Sequence, residues 1–180
     1  MTDRGAALVE LKPLGLADAP IIFRAWGHQP ENFTHLTARV FAQLSDAQAY
    51  VANLFQTPES SAFHILTPGG DVVGIVKAAV QGHRAQVGYV IAKPFWGRGF
   101  ATSAVQQLVA LLEASPNISR IWATCALDNP ASARVLEKSG FHREAVLKNW
   151  VTYPAKGGAA FDNFSYVRLP SAAGSPAETR

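Results

Sequence analysis

Apolar positions in the first half of the chain fall into short runs of the kind that strands make, interrupted by two helix-spaced stretches. Leu8 to Leu14 reads as a first strand, in which Leu8, Glu10 and Lys12 alternate with Val9 and Leu11 and Pro13 restricts the end. Asp18 is placed to cap a helix through Ile21, Ile22, Phe23 and Trp26, which Gly27 and Pro30 end. Ser45, with Gln48 three residues on, has capping-box spacing for a second helix carrying Tyr50, Val51 and Leu54, and Pro58 stops it. Phe63 to Leu66, Val72 to Val80 and Val87 to Ile91 follow as strands, joined by turns at Pro68-Gly69-Gly70-Asp71 and Gly82.

After Ile91 the period changes. Ala101, Ala104, Val105, Leu108, Val109 and Leu112 recur at helix spacing from Phe100 until Pro116-Asn117. Ile118 to Ala126 is again strand-like. Asn129-Pro130 sets a capping residue before a proline suited to a first helical turn, and that helix runs to Gly140. Phe141 to Trp150 and Phe161 to Leu169 read as closing strands around a loop at residues 153–158. The pattern predicts an α/β domain over residues 1–170, without the regular strand-helix alternation of a doubly wound fold. The segment from Ser171 to Arg180, small and polar, reads as a flexible tail.

Composition narrows the chemistry. The 180 residues are 48% hydrophobic and only 16% charged, with net charge +3 and no run of basic residues. That balance suits a phosphate-bearing ligand better than nucleic acid, for which a denser stripe is expected. Cys125 is the sole cysteine, and the five histidines, His28, His35, His64, His83 and His142, lack paired ligand spacing, so neither a disulfide framework nor a bound metal is expected. No apolar run has transmembrane length and the N-terminal residues do not read as a signal peptide, so the expectation is a cytoplasmic protein without membrane partners.

The strongest local signal is the link Pro94-Phe95-Trp96-Gly97-Arg98-Gly99 between a strand and a helix. Glycines allow a ligand close to the backbone, and the amides from Gly97 to Ala101 at a helix start could hold a pyrophosphate without a metal. Arg98 could add a charge-assisted contact. By itself the link is equally an ordinary turn. The Lys-Ser/Thr pair of a Walker motif is absent, and Thr102 stands where a dinucleotide fingerprint needs its third glycine.

The residues around this link carry a resemblance. Val87-Gly88-Tyr89-Val90-Ile91 through Trp96-Gly97-Arg98-Gly99-Phe100-Ala101-Thr102 resembles the acetyl-CoA-binding motif of the GCN5-related N-acetyltransferase superfamily, and within it the branch of ribosomal-protein N-terminal acetyltransferases. Asn129-Pro130-Ala131-Ser132, followed by Leu136-Glu137-Lys138-Ser139-Gly140-Phe141, is similar to that family's later helix motif. The match spans Leu8 to Leu169. It implies a mixed, mostly antiparallel twisted sheet flanked by helices and splayed at its central parallel strands. It implies acetyl transfer from acetyl-CoA to a primary amine by direct attack in a ternary complex.

The resemblance also implies roles. Val90, Ile91 and Ala92 would offer backbone contacts to the pantetheine arm, Trp96 would brace the phosphate loop, and Gly97 to Thr102 would bind the pyrophosphate. Asn129 could cap its helix, contact the cofactor arm, or both. Ser132 matches the family position that can give a proton to the leaving thiolate, or it only donates a hydrogen bond or stands as an ordinary first-turn serine; Glu144 matches a glutamate assigned as a base in some members, or is a strand-surface carboxylate. Gln86 stands at a position where several members have a basic carboxylate, and an amide cannot take that role. Tyr89 could line the acceptor pocket or pack in the core. Cys125 reads as a buried structural thiol. The acceptor stays open between a protein N-terminal amine and a small molecule such as an amino sugar, polyamine or amino acid. A non-catalytic acyl-CoA-binding protein is the alternative outside enzymology, and both monomer and homodimer are compatible with the composition.

Overall fold

The computed structural model describes residues 8–57 and 59–170. Pro58 and the segment from Ser171 lie outside the described residues. Seven strands form one sheet: β1 (Glu10–Pro13), β2 (Ser61–Leu66), β3 (Val72–Gln81), β4 (Arg84–Ile91), β5 (Arg120–Ala126), β6 (His142–Thr152) and β7 (Ala160–Arg168). Their order is β1-β2-β3-β4-β5-β7-β6, and every neighbouring pair is antiparallel except β4 and β5. A parallel pair needs a crossover, and the helix α3 (Phe100–Glu113) supplies it.

The expected splay is present. β4 and β5 pair only at Arg84↔Arg120, Ala85↔Ile121 and Gln86↔Trp122. Beyond Gln86, β4 stays with β3, and from Ala123 β5 stays with β7. The sheet therefore opens from within. One core packs against α3 and α4 (Pro130–Lys138) through Val76, Val105, Leu108, Ile121 and Leu136. The other packs against the N-terminal helices α1 (Ala19–Ile22) and α2 (Leu44–Leu54) through Ile22, Trp26, Phe33, Phe41, Val51 and Ile75. Strand pleating divides β4 between them: Val87 and Ile91 belong to the first core, Val90 to the second.

Two helix starts differ from the sequence reading. Asp18 does not cap the helix that follows; its carboxylate accepts the Gly15 N–H at 2.9 Å and closes the preceding 3-10 turn. The helix is also shorter than expected, because α1 passes at Phe23 into a π-helical turn ending at Gly27. In α2, Ser45 and Gln48 form no capping box. Asp46 accepts the N–H groups of Ala42 and Gln43 at 2.8 and 3.2 Å instead, since a carboxylate is the stronger acceptor and serves two orphan donors at once.

His64, in the middle of β2, is 2% exposed. Its Nε2 lies 3.3 Å from Asp18 Oδ2, yet neither ring nitrogen has a well-formed hydrogen bond. Burial lowers its pKa below the ordinary 6.5, and the nearby carboxylate opposes this only in part. The unfolded chain thus takes up a proton at a higher pH than the folded one. His64 leaves stability untouched above pH 6.5 and subtracts from it as pH falls from there towards its folded pKa. Thermal midpoints measured from pH 7 to 5 are expected to fall, with a shallower slope in His64→Phe.

Candidate active site

A cavity of about 830 Å³ occupies the opening between β4 and β5 and reaches both faces of the sheet. On the α3–α4 face its wall is built from the glycine link. Gly97 and Gly99 take φ of 75° and 80°, values that side chains strain to reach, so glycine is what lets the chain turn tightly into α3. Ser103 N–H makes the first bond of α3, to Gly99 O at 3.0 Å. The amides of Phe100, Ala101 and Thr102 precede it and are the orphan donors of this helix start. Arg98, whose guanidinium sits 5.4 Å from the Phe95 ring centre, lines the same wall with Arg134 and Lys138. Trp96 is 53% exposed, and its indole N–H donates to Ile91 O at 2.6 Å, bracing the loop against the strand as expected.

The backbone of β4 refines the expected cofactor contacts. Ala92 N–H donates to Val73 O at 2.8 Å, which fixes the phase of the β3–β4 ladder. Since antiparallel pairs alternate, the backbone groups of Val90 and Ala92 are turned to β3, and those of Val87, Tyr89 and Ile91 to the opening. Ala92 is also buried and forms no part of the cavity wall. Of the three backbones expected to meet the pantetheine arm, those of Val90 and Ala92 are therefore taken up by β3, while that of Ile91 faces the opening together with Val87 and Tyr89. Val90 keeps only a side-chain place in the wall.

At the centre, Asn129 Oδ1 accepts the Ser132 N–H at 3.1 Å and caps α4. Its Nδ2 has no partner among the described residues, and the residue lines the cavity, so the cap and the cofactor-side position coexist. Ser132 Oγ lies 2.8 Å from Tyr89 Oη, which also donates to Ser132 O at 3.2 Å. Burial raises the Tyr89 pKa well above its ordinary value, more than the Ser132 hydrogen bond lowers it. Tyr89 thus stays protonated, lines the cavity and meets the α4 group. Burial likewise pushes the Cys125 thiol up to about 11, which fits a structural thiol.

Glu144 is not with these residues. On β6 it pairs with Arg120 and accepts from Ser165 Oγ at 3.3 Å, outside the cavity wall. Its negative charge is already matched by Arg120, and it stands apart from Ser132 and the glycine link. His83 and His142 are exposed and also outside the wall. The cavity instead contains a pair that sequence reading missed. His35 Nε2–H donates to Asp128 Oδ1 at 3.2 Å, since a carboxylate can only accept. Lys156 Nζ holds the same carboxylate at 2.6 and 2.9 Å. Burial first, and Lys156 second, lower the His35 pKa, so the imidazole is neutral near pH 7 with Nδ1 unengaged among the described residues. Asp128 directly precedes Asn129, which puts this pair and Ser132 on two sides of one turn.

Splayed sheet, glycine link and capped α4 together define an acyl-CoA-dependent transferase. The Acetyltransferase (GNAT) domain model matches residues 9–142, and the chain belongs to that family of N-acetyltransferases. It is 27% identical over 147 residues to the uncharacterized N-acetyltransferase p20 of Bacillus licheniformis, covering 78% of this chain and 82% of that one. Among solved structures it is similar to RimL, a ribosomal L7/L12 alpha-N-protein acetyltransferase in complex with coenzyme A, with TM-score 0.80, 20% identity, and 93% and 97% of the two chains covered. It is also similar to the spermidine N-acetyltransferase of Vibrio cholerae in complex with CoA and spermine, with TM-score 0.76, 17% identity, and 92% and 97% covered. These two likenesses concern the fold. No helix among the described residues is long and apolar enough to cross a membrane, and no group of residues there is suited to hold a metal.

Proposed function

We propose that the protein transfers the acetyl group of acetyl-CoA to a primary amine bound on the α1–α2 side of the opening, by direct attack of the amine on the thioester. The observation that carries this reading is the hydroxyl pair of Tyr89 and Ser132 at the centre of a cavity whose one end is an anion-binding helix start. The pyrophosphate rests on the amides of Gly97 to Thr102 with Arg98 beside it, and the arm runs along Val87, Tyr89 and Ile91. Tyr89 O–H donates to Ser132 O and its oxygen holds the Ser132 hydroxyl at 2.8 Å, and the serine O–H turns from the phenol oxygen to the departing thiolate. His35 Nδ1, oriented through Nε2 by Asp128, takes the proton that the amine must lose.

Calorimetry with acetyl-CoA and a free-thiol release assay against mixed amines and short peptides test this reading. Binding with amine-stimulated release is the expected result. No binding overturns it, and binding without release across the panel favours a non-catalytic acyl-CoA-binding protein. With an acceptor in hand, kcat/KM is expected to fall with slope one as the amine protonates and with slope two once pH drops below the His35 pKa, itself below 6.5. His35→Gln is expected to keep slope one throughout and to lose roughly 100-fold in kcat/KM. Slope two persisting in the variant would move the base elsewhere.

A further inference from the structure

The charge left over on the acceptor side belongs to a lysine. Lys77 lies on β3, opposite Gly88 in the register, on the face that carries Ile75 and the α1–α2 core. A Cβ at Gly88 would stand 3.2 Å from Lys77 Cε and 3.6 Å from Cγ, so the lysine stem crosses the strand where a glycine leaves room for it. Gly88 is two residues past Gln86, the last β4 residue paired with β5, which puts the lysine beside the opening. Its ammonium sits 5.8 Å from the Tyr50 ring centre and makes no ion pair among the described residues. The residue lines the cavity and is largely withdrawn from water, which lowers its pKa below the ordinary lysine value.

A partly desolvated cation with no counter-charge is costly unless a ligand brings one. The cofactor's phosphates are served on the opposite face, by Arg98 and the start of α3. The cavity's own carboxylates are already engaged: Glu31 with Lys93 at 3.6 Å, and Asp128 with Lys156. The acceptor side therefore presents one free positive charge and no free negative one. We propose that the acceptor is an amine that itself bears an anionic group, which Lys77 holds while the amino group faces the thioester. This rests on the acetyl-transfer reading above. A polycationic amine meets an unpaired ammonium here, and carboxylates that already have cationic neighbours.

The test is thiol release at saturating acetyl-CoA with matched acceptors: γ-aminobutyrate against butylamine, O-phosphoethanolamine against ethanolamine, and peptides beginning with Glu against Gln, with spermidine as the cationic arm. In at least one pair the anionic member is expected to win by roughly 30-fold or more in kcat/KM. The pair that shows it identifies whether a carboxylate, a phosphate or an acidic N-terminal residue is the natural anion. Lys77→Met, which keeps the stem, is expected to erase that preference chiefly through KM, and Lys77→Arg to restore part of it. Calorimetric binding of acetyl-CoA by both variants shows that they fold. Equal or better use of the neutral or cationic members overturns the proposal, as does a preference that survives in Lys77→Met, or silence towards every anionic amine by protein that binds acetyl-CoA. Failure to bind acetyl-CoA at all counts instead against the transfer reading.

Discussion

Ser132→Ala is expected to lower kcat for acetyl transfer by roughly 100-fold or more, while acetyl-CoA affinity stays within a few fold. In the proposed reaction the serine hydroxyl gives a proton to the leaving sulfur, and a thiolate leaves far more readily when one is supplied. Tyr89→Phe removes the phenol that donates to Ser132 O at 3.2 Å and lies 2.8 Å from Ser132 Oγ. Because burial holds that phenol protonated, it acts as a fixed donor and not as a titrating acid. On the proposed reading the two hydroxyls act on the leaving sulfur as one unit. The double variant should therefore cost little more than the worse single one, since residues acting as a unit are not additive. Steady-state kcat for the four proteins, with calorimetry for cofactor affinity, decides the matter. Losses that multiply would mean that Tyr89 and Ser132 act separately.

The largest effect on stability is expected at Gly74. A Cβ there would stand 2.0 Å from Val90 O and 3.0 Å from Ile91 Cα, so the obstacle is the backbone of the neighbouring strand, which cannot swing aside as a side chain can. Gly74→Ala must push β4 away from β3 at the point where β4 borders the cavity. The expected cost is about 2–4 kcal/mol in urea denaturation, together with weaker acetyl-CoA binding at temperatures where the variant is folded. Gly70→Ala is the control. It lies at φ 88° with nothing near its would-be Cβ, so it carries only the strain of a left-handed backbone, about 1–2 kcal/mol, and leaves binding unchanged. Equal losses in the two variants would remove the steric argument.

Much of this architecture could be read from the chain because its signals are local. The two glycines before α3 and the Asn-Pro step before α4 each act within one turn, and the apolar spacing from Ala104 to Leu112 matches one buried helix face. Other features depend on register or on distant partners. Nothing in the sequence marks Lys77, whose place is set only when pairing brings it opposite Gly88. His35 and Asp128 are 93 positions apart and carry no spacing that links them. The resemblance put a base at Glu144, but Arg120, brought close by the parallel pairing of β4 and β5 and by β7, had already claimed it.

The short seam between β4 and β5 has a mechanical meaning. Seven strands count as one sheet, yet three residue pairs are all the ladder that stitches its two halves together. In the proposed loaded state, a cofactor arm whose amides bond along Val87 to Ile91 would act as a partial eighth strand, a rivet through the middle of the molecule. By mass action such a ligand adds about 2.7 kcal/mol to the unfolding free energy at a hundred times its Kd. The enzyme is then most rigid when loaded, and it is most easily pried apart in the interval after coenzyme A has left and before the next acetyl-CoA arrives.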